Sequence, residues 1–201
     1  MVRIFPTALA ATALCLGAST PSVDALAKPT APQLQWQEAE IGVIIHFNMA
    51  TMANSQGCSQ SSAPPDVSLW NASQLNTDQW VEAMTNLGAK YAVYVAKHGC
   101  GFCTWPSEVT VPSGDVYPYS VKYAADTTDV VQSFVDSCRA KGIKPGFYYS
   151  LGSNAYAKNV LKLSSDDFNN LVLNQTHELW SKYGSLFEIW CVVPCFRCLL
   201  P

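Results

Sequence analysis

One order of segments recurs along this chain and leaves few folds open to it. An uninterrupted apolar run is followed by a long polar stretch, then an amphipathic helix pattern, then a glycine, and at once the next apolar run. The runs are IGVIIHF from Ile41 to Phe47, AKYAVYVAK ending at Lys97, IKPGFYYS ending at Ser150, and SLFEIW ending at Trp190. Runs of this kind, without polar alternation, are made by strands buried on both faces. The expected strands therefore lie near residues 41–47, 90–96, 143–149 and 186–190.

Between them the apolar spacing is helical. Trp80, Val81, Met84 and Leu87 fall on one face of a helix starting near Thr77, with Gly88 as its stop. Val130, Val131, Phe134, Val135 and Cys138 do the same before Gly142, and Phe168, Leu171, Val172 and Leu179 before Gly184, with Ser164 or Ser165 as the cap. Strict alternation with tight helix-to-strand joints predicts an α/β fold of about four parallel strands and right-handed helical crossovers. Every strand-to-helix loop is long, so the polar material gathers at the C-terminal ends of the strands, where such folds carry their sites.

The residues at those ends are His46, His98, Tyr148, Tyr149 and, farther out, Asn154. A histidine there is either a hydrogen-bonded core residue or part of a site, and two at matching positions on separate strands favour a site. Trp70, Phe102 and Trp105 in the same loops offer faces on which a sugar ring could stack, or they close the core.

Composition narrows the partners. A net charge of −3 and an isoelectric point near 5.5 give no attraction for nucleic acid or an anionic membrane, and a small neutral polar substrate fits better. No G-x-G-x-x-G follows the first strand and no G-x-x-x-x-G-K-[ST] occurs anywhere, so no nucleotide cofactor is expected.

Residues 1–27 have one arginine, an apolar stretch too short to span a bilayer, and an Ala25-Leu26-Ala27 ending, which predicts a signal peptide and a secreted, extracellular protein. Residues 28–35, rich in proline and polar residues, are expected to be an extended lead-in segment. Export places the cysteines in an oxidising compartment, where Cys58, Cys100, Cys103 and Cys138 are compatible with two disulfides of unassigned pairing. Cys100-Gly-Phe-Cys103 has dithiol or half-zinc spacing but opens no helix and lacks a second ligand pair, which favours a structural disulfide. Asn71-Ala72-Ser73 and Asn174-Gln175-Thr176 are acceptor sequences for N-glycosylation.

In that order, IGVIIHF, LGAKYAVYVAKHGCGFCTWPS, GIKPGFYYS and LFEIW resemble the first four strand segments of glycoside hydrolase family 29, the α-L-fucosidases, over roughly Trp36 to Trp190. The block around Lys97-His98 and Trp105-Pro106-Ser107 is its most specific part. The resemblance implies the N-terminal half of a (β/α)8 barrel over residues 36–190 and removal of terminal α-L-fucose from glycans or glycoconjugates with retention of configuration. It implies sugar contacts for His46 and His98, for Tyr148 or Tyr149, and for Trp190, with no metal and no cofactor.

The chain departs from the family where chemistry would occur. The second histidine and the aspartate of the family's K-H-H-D-G-F are Gly99 and Cys100. The nucleophile of Trp-Phe-Asp-Gly falls on Val192, and the general acid/base of relatives comes from a later strand. These differences lead to the expectation of a fucosidase interrupted after Trp190, with residues 191–201 an aberrant cysteine-rich tail, inactive as written. The alternative is a short secreted sugar-binding protein with a disulfide-rich tail.

Overall fold

The apolar runs become a parallel sheet. A computed structural model describes residues 27–192; residues 1–26 of the expected leader and all of the tail beyond Val192 lie outside them. The strands are β1 (Gly42–Ile45), β2 (Tyr91–Lys97), β3 (Lys144–Ser150) and β4 (Glu188–Val192), hydrogen-bonded in the order β1-β2-β3-β4, every pair parallel. Their helices are α1 (Ala31–Ala39), α2 (Met49–Met52), α3 (Thr77–Leu87), α4 (Val130–Ala140), α5 (Ala155–Asn159) and α6 (Ser165–Lys182). The sequence order thus gives the expected α/β architecture, half of a barrel wall.

Local chemistry sets the helix ends. Asn76 accepts from the Gln79 amide at the start of α3, and Gly88, at φ 86°, ends it in the left-handed region that a side chain disfavours. Asp129 and Ser164 cap α4 and α6 in the same way. Val81 and Met84 are buried from α3, whereas Leu87, expected on the same face, is 63% exposed in the last turn. In α4 all five expected residues are buried.

Two segments differ from their expected form. Residues 31–35 are not extended: they open α1, because Thr30 and Gln33 form a reciprocal capping box and Pro32 sits in the first turn, where its missing N–H costs nothing. Strand β4 does not stop at Trp190; Cys191 pairs with Tyr149 and Val192 with Ser150, since the free edge of β3 goes on offering backbone partners.

The sheet has two unlike faces. Ala92, Tyr94 and Ala96 of β2 and Phe147 and Tyr149 of β3 join α3, α4 and α6 in one core. The opposite face is open at Ile44 and Trp190. At its N-terminal end Trp36 of α1 packs on Tyr91, which packs on Phe187, and the Trp36 indole donates to Glu188 Oε2 at 3.2 Å. Gly42 makes room for this plug, since a Cβ there would fall 2.1 Å from the Tyr91 ring. No described helix is long and apolar enough to cross a membrane.

The cysteines pair once among the described residues, Cys58 with Cys100. Cys103 and Cys138 stay free and buried, which corrects the expectation of two bridges. Cys138 packs as a core residue of α4, and Cys103 points into the helix side of the sheet, where Gln175 Nε2 lies 3.3 Å from its sulfur. Cys-x-x-Cys thus holds no bridge of its own, since Cys100 is joined to Cys58 and Cys103 stays a thiol, which also corrects the structural disulfide expected there.

Candidate functional site

A single irregularity builds the site. Tyr148 of β3 pairs with Val95 of β2, but Tyr149 pairs with Lys97, leaving Ala96 as an extra residue. The Ala96 carbonyl is satisfied by Thr104, which donates both its amide and its hydroxyl to it. The bulge flips the alternation of β2, so Lys97 turns to the helix side and His98 to the open face.

There His98 meets its neighbours. The His46 and His98 rings stand edge to face with centroids 4.5 Å apart, Tyr148 lies 6.0 Å beyond His98, and Trp190 lies 6.1 Å beyond Tyr148. Each of the four strands contributes one ring to a continuous row near its C-terminal end.

Asn48 fixes the chemistry of the first ring. Its Oδ1 accepts from the Ala50 amide at 2.9 Å, so its Nδ2 is the atom facing His46 Nδ1 at 2.8 Å. A donor on Nδ1 leaves the neutral imidazole with its proton on Nε2, a hydrogen-bond donor toward the open face. Burial holds the His46 pKa below its usual value, and burial, then His46, then Lys97 do the same for His98. Both rings are therefore neutral at neutral pH. His98 Nδ1 is buried without a hydrogen-bond partner among the described residues.

Lys97 braces the rim from behind. Wholly buried, its ammonium sits 4.4 Å from the Tyr149 ring centre and donates to the Ser150 and Ser153 carbonyls at 2.5 and 2.8 Å. Burial lowers its pKa to about 7.

Other expected residues go elsewhere. Tyr149 is 1% exposed and donates to Gln175 Oε1 at 2.7 Å on the helix side, because neighbouring strand residues point to opposite faces; of the tyrosine pair only Tyr148 joins the row. Asn154 caps α5 and bonds to Tyr117, a structural post. Trp70, Phe102 and Trp105 are buried and present no open face to a sugar. Trp105, Ser107 and the Glu108 amide all donate to the Glu178 carboxylate of α6, which ties that loop to its helix.

At the end of β4 stands Val192, whose carbonyl accepts from Leu151, and the strand's carboxylate, Glu188, is engaged with Trp36 at the other end. Asn71 and Asn174 are both exposed, but Thr176 of the second acceptor sequence turns its hydroxyl inward to the Val172 carbonyl of α6. No group of three or more His, Cys, Asp or Glu able to hold a metal occurs among the described residues.

Sequence reasoning missed Asn48 and the bulge. The Asn48-x-x-Thr51 capping pattern was a visible signal for the first, since Thr51 donates nothing to the ring but locks Asn48 through its backbone. The bulge has no signature in YAVYVAKH.

The comparisons with known proteins bear on family and fold. The family model described as Alpha-L-fucosidase matches residues 65–193. Alpha-L-fucosidase 1 of Arabidopsis thaliana is 32% identical over 81% of this chain and 30% of its own length. Tissue alpha-L-fucosidase of Bos taurus is 25% identical over 65% of the chain and 31% of its own length. A solved glycoside hydrolase 29 family member from an unknown rumen bacterium superposes with a TM-score of 0.70 at 32% identity, over 82% of this chain and 28% of that one. The chain spans about a third of the length of the curated relatives it matches. With more than half of its residues inside the family match, the chain belongs to the α-L-fucosidase family, glycoside hydrolase family 29.

Proposed function

We propose that the row of His46, His98, Tyr148 and Trp190 is the wall against which a terminal α-L-fucose of a secreted glycan or glycoconjugate lies, and that this chain holds the sugar without cleaving it. The row itself carries the reading. Two neutral imidazoles stand side by side with a fixed donor at His46 Nε2, and the Tyr148 and Trp190 rings provide apolar surface for the face of a sugar.

Family members hydrolyse with retention, which takes two carboxyl groups about 5 to 5.5 Å apart. Here the position of the attacking group is Val192, whose side chain cannot form a glycosyl ester. Glu188 lies two residues, about 6 to 7 Å, below Trp190 along the strand, and its carboxylate is spent on Trp36. The Cys58–Cys100 disulfide and the exposed Asn71 support an oxidising, glycosylating route to the cell exterior.

The test is to offer the full chain an aryl α-L-fucoside. Release of the aryl group no faster than in buffer is expected. Turnover that a fucose-shaped inhibitor and His98→Ala both abolish would overturn the non-hydrolytic reading.

A further inference from the structure

The two acceptor sequences for N-linked sugar differ in what surrounds them. Asn71 is exposed in the loop before α3, and its Oδ1 accepts from the Ser73 amide at 3.0 Å, so Asn71-Ala72-Ser73 is held as a turn with Ser73 exposed as well. Asn174 stands inside α6, where the Thr176 hydroxyl is buried and donates to the Val172 and Leu173 carbonyls at 2.8 and 3.0 Å. The hydroxyl that the acceptor pattern requires is open at Ser73 and engaged at Thr176.

Asn71 also lines a groove. Its volume is about 200 Å³, it is bounded by Phe47, Met52, Asn71, Leu75, Gln79 and Trp80, among others, and no charged side chain of the described residues lines it. That size suits one sugar ring rather than a chain of them. Phe47 and Trp80 are half-buried and meet edge to face with centroids 5.4 Å apart, and Phe47 packs in turn on the buried Trp70 at 5.5 Å. The rings offer apolar surface and Gln79 an amide, a mixture that an N-acetylated sugar meets with its ring face, its acetyl methyl and its hydroxyls. Phe47 follows His46, and its carbonyl accepts from the Tyr94 hydroxyl at 2.8 Å, so a filled groove bears on the end of β1.

We propose that Asn71 carries an N-linked glycan whose first sugar, an N-acetylglucosamine, is seated in this groove against Phe47 and Trp80. The proposal rests on the chain entering a secretory route and is independent of what the row binds. The donor is a polyprenyl diphosphate oligosaccharide: Asn71 Nδ2 attacks its anomeric carbon, an N–C bond forms as the C–O bond to the diphosphate breaks, the amide loses one proton, and the lipid diphosphate leaves. Because Asn71 itself lines the groove, the covalent bond keeps the ring at high effective concentration beside its seat.

The test uses the full chain with its leader, secreted from a eukaryotic cell line and carrying Asn174→Gln so that one acceptor remains. Mass spectrometry is expected to find the glycan on Asn71. After an endoglycosidase has trimmed it to the first sugar, the folding equilibrium constant read in urea should be roughly three- to tenfold above that of a chain that also carries Ser73→Ala. Ser73→Ala removes the acceptor hydroxyl and keeps both Asn71 and the amide that holds its turn. Nuclear Overhauser contacts should join the acetyl methyl to ring protons of Phe47 or Trp80. A secreted chain with Asn71 bare, or a sugar on Asn71 that gives neither the gain in stability nor a contact with either ring, would overturn the proposal. A chain kept inside the cell with its leader uncleaved would instead overturn the secretory reading, and the seat at Asn71 would fall with it.

Discussion

Asn48 and Lys97 show how much of this surface depends on residues that touch no ligand. Asn48→Asp keeps the size of the side chain but replaces a donor with a carboxylate. The account expects the His46 proton to move to Nδ1, the His46 pKa to rise, and fucose affinity to fall by about tenfold as the Nε2 donor is lost. Two-dimensional 15N spectra of the imidazole read the tautomer directly. An unchanged tautomer would refute the role given to Asn48. Lys97 makes a prediction about pH. Its folded pKa, near 7, is lower than the value of about 10.4 in an unfolded chain, so between these pH values the unfolded state binds the extra proton. Stability should therefore rise with pH from about 7 to about 9.5, by at most about 1.4 kcal/mol per unit, before tyrosines begin to titrate in the unfolded chain. In Lys97→Met that part of the slope should vanish; urea titrations at several pH values would show an identical slope if the assignment were wrong.

Among the elements, those with a local signal were legible and those made by distant partners were not. The α4 stripe of Val130, Val131, Phe134, Val135 and Cys138 announces itself at helical spacing, and all of it is buried. Helix α1 was hidden because its composition is polar, although its Thr30–Gln33 capping box was there to be read. The end of β4 was misplaced because nothing in Cys191-Val192 says that β3 still has a free edge at Tyr149 and Ser150. The disulfide could not be assigned, since Cys58, Cys100, Cys103 and Cys138 look alike in sequence and the turn after His98, closed by the Gly101 amide on the His98 carbonyl, is what sets Cys100 beside Cys58. That bridge closes a separation of 42 residues next to the site. Its removal by Cys58→Ser with Cys100→Ser should lower stability by about 3 kcal/mol in urea and weaken fucose binding, because the segment holding His98 loses its anchor. A double variant as stable as the parent would show that the loop is held by its hydrogen bonds alone.

For the whole molecule, the parallel arrangement of the strands followed from their alternation with helices, but which side chains meet at the strand ends did not. Sequence placed both tyrosines, 148 and 149, at the third strand end, and strand alternation sends one to each face. It placed His98 at the second strand end, yet only the extra residue Ala96 brings that ring beside His46 and Tyr148. The plug of Trp36 against Glu188 joins residues 152 apart in sequence, beyond the reach of any local pattern, and it engages the one carboxylate that β4 carries at the end of the strand away from the rim. What stands at the rim is the row of His46, His98, Tyr148 and Trp190. The most direct test follows the histidine Cε1 protons of the full chain while L-fucose is added. Saturable shifts of His46 and His98 are expected, with none at the exposed His177 of α6 and loss of the response in His98→Ala. Shifts at His177 of equal size, or no movement of His46 and His98 at saturating fucose, would contradict it.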